Sequence, residues 1–140
     1  TARRAAVMLE ARNEGFIVPT AQQRQNLLVA FAKRGKVVYG KAFDIVRLNT
    51  RVNLNDLADI EGNMESILVF EIKSTRKDLP TDFTGYFFGL SAAEVLVAQS
   101  LRDHFKFIFV NVTTGSHVEM GLSDIFARAK GIYPTWSIMF

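Results

Sequence analysis

Cysteine is absent from this chain, so no disulfide can staple the fold and no thiolate can hold a metal. A cysteine-free chain suits a reducing compartment, and the expected location is cytoplasmic. Proline is scarce, at three residues in 140. No Ser/Pro-rich linker, internal repeat or low-complexity tract divides the chain. One domain over residues 1–140 is therefore expected. The chain opens on Thr1 rather than Met, so a piece trimmed from a longer protein is one reading. Within it, residues 1–18 would form an N-terminal helix and link, 20–112 the core, and 113–140 a C-terminal helix and strand. No apolar run approaches the ~20 residues of a membrane span, and no membrane partner is expected. Histidine is rare as well: His104 and His117 lack metal-ligand spacing.

What is present is a packable core. Hydrophobic residues make up 49% and charged residues 22%, and twelve phenylalanines supply bulk. The net charge of +3 permits a polyanionic partner without demanding one. Arg24, Lys33, Arg34, Lys36, Lys41, Arg47 and Arg51 precede residue 52, and Asp56, Asp59, Glu61 and Glu65 follow it.

Apolar spacing predicts a helix over 2–13 that stops at Gly15, with FIVP as a link. Thr20 and Gln23 form a capping box for a second helix running to Gly35. Residues 37–39 and 42–48 read as strands, 49–64 as a loop with a short helix or strand pair, and 66–73 as a buried strand. A polar loop follows to Thr84. Ser91 and Glu94 form a second capping box, for a helix ending near His104. A strand over 106–112, a turn, a helix over 122–130 and a last strand over 133–140 complete the order. Central strands followed by a crossover helix and another strand predict an α/β sandwich with a mixed sheet. Tyr86, Phe87, Phe88 and Trp136 are expected in the core.

The stretch LVFEIKST, residues 68–75, carries the functional question. Glu71 and Lys73 interrupt an apolar strand two residues apart, so both point to one face. Burying charges there is costly unless they are paired or used. Asp44 is a second acid inside an apolar strand, and strand pairing would bring it to Glu71 and Lys73. Such a trio suits phosphodiester hydrolysis. Two carboxylates and the Ile72 carbonyl would hold Mg²⁺ or Mn²⁺, water filling the other positions. The metal would polarise the phosphoryl group and acidify a bound water, and Lys73 would orient that water or stabilise developing charge.

Asp44, then about thirty residues later Glu71-Ile72-Lys73, then a crossover helix and a strand, resembles the PD-(D/E)xK, or restriction-endonuclease-like, superfamily. The resemblance spans roughly residues 20–112. It implies a restriction-endonuclease-like sandwich and Mg²⁺-dependent DNA cleavage of restriction, defence or repair type. Asp44 and Glu71 would be metal ligands and Lys73 the catalytic lysine. Many members add a Glu on the preceding helix, where this chain offers only Gln22, Gln23 and Gln25; Glu10 is the stand-in.

Ser74, Thr75, Arg76 and Lys77 follow directly, and with Lys41 they suit backbone phosphates. Gln99 is an accessory candidate for orienting a water, its rival reading being a solvent-facing position. Glu94 could reach the site, since the following helix often contributes a polar residue in the family this stretch resembles, but its position three after Ser91 explains it better as a capping-box partner. Cutting both strands of a duplex would need two sites, hence a homodimer or a partner subunit or domain. The alternative is a catalytically inactive nucleic-acid-binding or protein-interaction module of the same fold. A third reading makes the strand charges structural salt bridges in a subunit interface.

Overall fold

The computed structural model describes residues 1–39, 41 and 43–140. Among these residues five strands form one mixed sheet: β1 (Phe16–Ile17), β2 (Ile45–Leu48), β3 (Ile67–Thr75), β4 (Phe105–Asn111) and β5 (His117–Met120). They lie side by side in chain order. Only β3 and β4 are parallel; the other neighbours are antiparallel. Five α-helices among the described residues accompany the sheet: α1 (Ala2–Glu10), α2 (Ala21–Lys33), α3 (Leu57–Gly62), α4 (Ala92–Leu101) and α5 (Leu122–Arg128). The expected α/β class with a mixed sheet is the observed one.

Side-chain alternation along β3 divides the apolar residues between two cores. Leu68, Phe70 and Ile72 join Ile45, Ile108 and Val110 beneath Ala5, Ala6 and Leu9 of α1. Ile67 and Val69 face the other way, into a larger core with Leu27, Ala30 and Phe31 of α2, Ile60 of α3 and Val97 and Leu101 of α4. Phe31, Phe43, Phe70, Phe107 and Phe109 are at most 1% exposed. Each such ring contributes about 2–3 kcal/mol by leaving water. By the same alternation Glu71 and Lys73 lie on the α2/α4 face.

Both capping boxes form. Thr20 Oγ1 accepts from Gln23 N and Gln23 Oε1 from Thr20 N, and Ser91 and Glu94 repeat the arrangement. Asp56 caps α3, so the segment read as a loop with a short helix or a strand pair holds the helix. Gly15 does more than stop α1. Its φ of +92° suits glycine, and a Cβ there would meet the Leu48 carbonyl oxygen at 2.6 Å.

Several expectations need correction. Phe16–Ile17, read as a link, is an edge strand, because Phe16 packs on Phe70 and its backbone pairs with β2. Residues 37–39 are not a strand: the Val37 amide donates to the Ser100 hydroxyl at 2.6 Å instead of to a ladder. Ala42, the expected start of the next strand, lies outside the described residues. Residues 133–140 form no strand, and Trp136 is 89% exposed, because aromatic propensity does not act without a paired strand and a surface to cover. Tyr86 and Phe88 pack on the larger core as expected, whereas Phe87 between them is 75% exposed. Finally, His117–Met120 forms a strand between the expected turn and the expected short helix, a stretch to which the sequence pattern assigns no element of its own.

Candidate active site

The site forms where β2 ends alongside β3. The ladder between them covers Ile67 to Phe70. One residue before β2, the Asp44 amide donates to the Phe70 carbonyl at 2.7 Å. The Asp44 side chain then takes over from the ladder: Oδ2 accepts from the Ile72 amide at 2.8 Å. Beyond that point β3 continues to Thr75 paired with β4, Glu71 opposite Phe107 and Lys73 opposite Phe109. Both phenylalanines are buried, so the two charged side chains rise from an apolar floor.

Lys73 is held by α4 rather than by its own strand. Its Nζ donates to Glu94 at 2.8 Å (Oε2) and 3.1 Å (Oε1), and lies 4.0 Å from Glu71 Oε1. The side chains of Glu71, Lys73 and Glu94 are 15%, 16% and 14% exposed. Two carboxyl groups, Glu71 and Glu94, thus share one ammonium, with Asp44 acting on Glu71 through its field. Burial first, then a hydrogen bond to Glu94 and the fields of Asp44 and Glu94, push the Glu71 carboxyl up to about 9, against the opposing pull of Lys73. Burial also works against a charge on Glu94. Its hydrogen bonds with Lys73, the Ser91 amide and Glu71 outweigh that and hold it below the usual carboxylate range. Proton and charge are therefore divided: Glu71 keeps the proton and Glu94 carries the charge that faces Lys73.

The residues singled out from the sequence distribute as follows. Asp44, Glu71 and Lys73 come together. Ile72 sends its side chain into the α1 core and its amide to Asp44. Ser74 is half-buried, and its carbonyl accepts from the Tyr86 hydroxyl at 3.1 Å. Thr75 is buried, and its Oγ1 accepts from the Lys77 amide, so its hydroxyl serves the turn. Arg76 and Lys77 are exposed just beyond, and Lys41 is exposed near Asp44 in the chain. Glu10 does not join the site. It belongs to α1, which covers the opposite face of the sheet, and its Oε2 accepts from the Val18 amide at 2.9 Å. Gln99 is exposed and lies about 140° around α4 from Glu94. Several of the early cations already have partners: Arg24 on the Phe43 carbonyl, Lys33 on Glu61, and Arg47 on Glu119.

Glu94 is the residue the sequence reading undervalued. Its capping role is real and accounted for it fully in one dimension. The signal for a second role was that α4 is the crossover between β3 and β4, so its first turn must lie near the C-terminal half of β3.

Among the described residues no three His, Cys, Asp or Glu converge as a ready-made ligand set. Glu94 is turned to Lys73, which leaves Asp44 and Glu71. That suffices for Mg²⁺, which is held by one or two carboxylates and keeps several waters. The surplus of carboxyl groups over ammonium groups, seen in the raised Glu71, is the electrostatic situation a divalent cation relieves. No helix among the described residues is long and apolar enough to cross a membrane. Compared with protein-family models, with curated proteins and with solved structures, the chain finds no match in any of the three.

Proposed function

We propose that this protein is a Mg²⁺-dependent endonuclease of the restriction-endonuclease-like class, cutting DNA phosphodiester bonds. The observation that carries the reading is the meeting of Asp44, Glu71 and Lys73 at the point where β2 ends beside β3. Asp44 and Glu71 would hold the metal. When bound, the ion supplies Lewis acidity to the phosphoryl oxygen and acidifies a coordinated water.

The chain's own residues do the rest. The Ile72 amide fixes the Asp44 carboxylate in orientation, so that little reorganises when a cation arrives. Glu71 would release its proton to solvent on becoming a ligand. Lys73 presents its ammonium, held by Glu94, above an apolar floor, where its field acts more strongly on a developing phosphorane charge than it would in water. The exposed side chains of Arg76 and Lys77 lie directly beyond the site and meet backbone phosphates. A duplex would be cut on both strands by two copies or by a partner subunit.

Plasmid cleavage in Mg²⁺ or Mn²⁺ tests this, comparing wild type with Lys73→Ala at matched purity. The expected outcome is metal-dependent cleavage that falls by about a hundredfold or more in the variant. Cleavage unchanged in Lys73→Ala and Glu71→Ala overturns the site. DNA binding without any cleavage, steeply weakened by salt and indifferent to Mg²⁺, would instead mark a non-catalytic binding module.

A further inference from the structure

Glu71 and Lys73 stand two apart on one face of β3, an arrangement in which a flexible ammonium ordinarily folds onto the carboxylate beside it. It does not do so. Nζ keeps 4.0 Å from Glu71 and spans both oxygens of Glu94 at 2.8 and 3.1 Å. Glu94 is in turn immobilised: its Oε1 accepts from the Ser91 amide at 2.7 Å, and its own amide donates to Ser91 Oγ at 3.1 Å. The capping box alone does not require a charge, since Gln serves equally at that position. Gln23 does so in α2 of this chain. What Gln cannot do is hold an ammonium by full charge through two oxygens.

Resting on the metal-dependent reading above, we propose that Glu94 is a positioning residue that draws Lys73 off Glu71 and so keeps Glu71 open to a divalent cation. The first turn of α4 then decides where the lysine stands. Without Glu94's charge, Lys73 occupies by default the space the cation needs, and the protein inhibits its own site.

Glu94→Gln separates this role from capping, because the cap survives and the charge is lost. Two measurements on the whole chain, without DNA, test it: titration calorimetry with Mn²⁺ alone, and the crystal structure of the variant. Expected are Mn²⁺ binding weakened about tenfold and Lys73 Nζ moved into hydrogen-bonding contact with Glu71, with the unfolding midpoint unchanged. Ser91→Ala, which loses the cap and keeps the charge, is expected to lower the midpoint and leave Mn²⁺ affinity within about twofold. The proposal is overturned by wild-type Mn²⁺ affinity in Glu94→Gln, or by weakened binding with Lys73 still clear of Glu71, which would be plain loss of charge. A wild type that takes up no Mn²⁺ at millimolar concentration overturns it together with the metal-dependent function, so the two failures are distinguishable.

Discussion

Glu71 holds a proton that an ordinary glutamate would have released, and that has a thermodynamic signature. Its carboxyl stands at about 9 in the folded chain against an ordinary 4.5. Between those values the folded state binds more protons than the unfolded state, so stability falls as pH rises through the window. Below about 4.5 both states are protonated and the contribution is constant. Glu71→Gln cannot titrate and is expected to flatten this decline. With metal removed by chelator, its melting temperature should exceed that of wild type by on the order of a few degrees near pH 9 and match it near pH 4.5. Parallel declines in the two proteins would mean that Glu71 does not carry the proton. At this scale the sequence was informative about identity and not about state. Asp44, Glu71 and Lys73 stood out because charges inside apolar strands are rare. Their division into a protonated acid, a carboxylate bound to a backbone amide and a lysine held by a helix depends on neighbours more than twenty residues away.

Elements whose signals are local were legible, and elements that need a distant partner were not. The capping boxes at Thr20 and Ser91 were readable because donor and acceptor lie within four residues. The strand at His117–Met120 escaped because HVEM, although it alternates, is only four residues long and is half-exposed along its length. Pairing with β4 creates it. The tail at 133–140 failed in the opposite sense, having strand-like composition and no paired strand among the described residues.

One junction between elements carries a prediction. β3 and β4 end together, Thr75 opposite Asn111. Asn111 is 2% exposed; its Nδ2 donates to the Lys77 carbonyl, and its Oδ1 accepts from the amides of Thr113 and Thr114. It ties the loop bearing Arg76 and Lys77 to the β4–β5 turn. Asn111→Ala leaves these groups without their partner and is expected to cost about 1–3 kcal/mol in urea unfolding, with faster hydrogen exchange at Thr113 and Thr114. A loss under about 0.5 kcal/mol would assign the junction to water instead.

The molecule as a whole is a sheet with unequal covers: α1 over one face, and α2, α3 and α4 over the other. The site lies on the more heavily covered face, which is why its charges are only about 15% exposed. The surplus of early cations is partly spent inside the fold. The Lys33–Glu61 pair, 59% and 34% exposed, contributes little to stability. Arg47, by contrast, stacks over Phe16 and Phe70 while pairing with Glu119. Residues 131–140 are exposed throughout. Removing them is expected to change unfolding free energy by less than about 0.5 kcal/mol, read by circular dichroism in urea. A larger loss would mean that the tail covers apolar surface.

The sequence by itself determined the α/β class, the helix starts and the three residues around which a site could form, because composition, capping and alternation act over a few neighbouring residues. Only the tertiary structure decided that Glu10 faces away, that Glu94 rather than Glu71 holds Lys73, and that Trp136 lies in water. The reason is physical: each of those outcomes turns on which face of the sheet a helix covers, and that is fixed by the joint burial of side chains far apart in the chain.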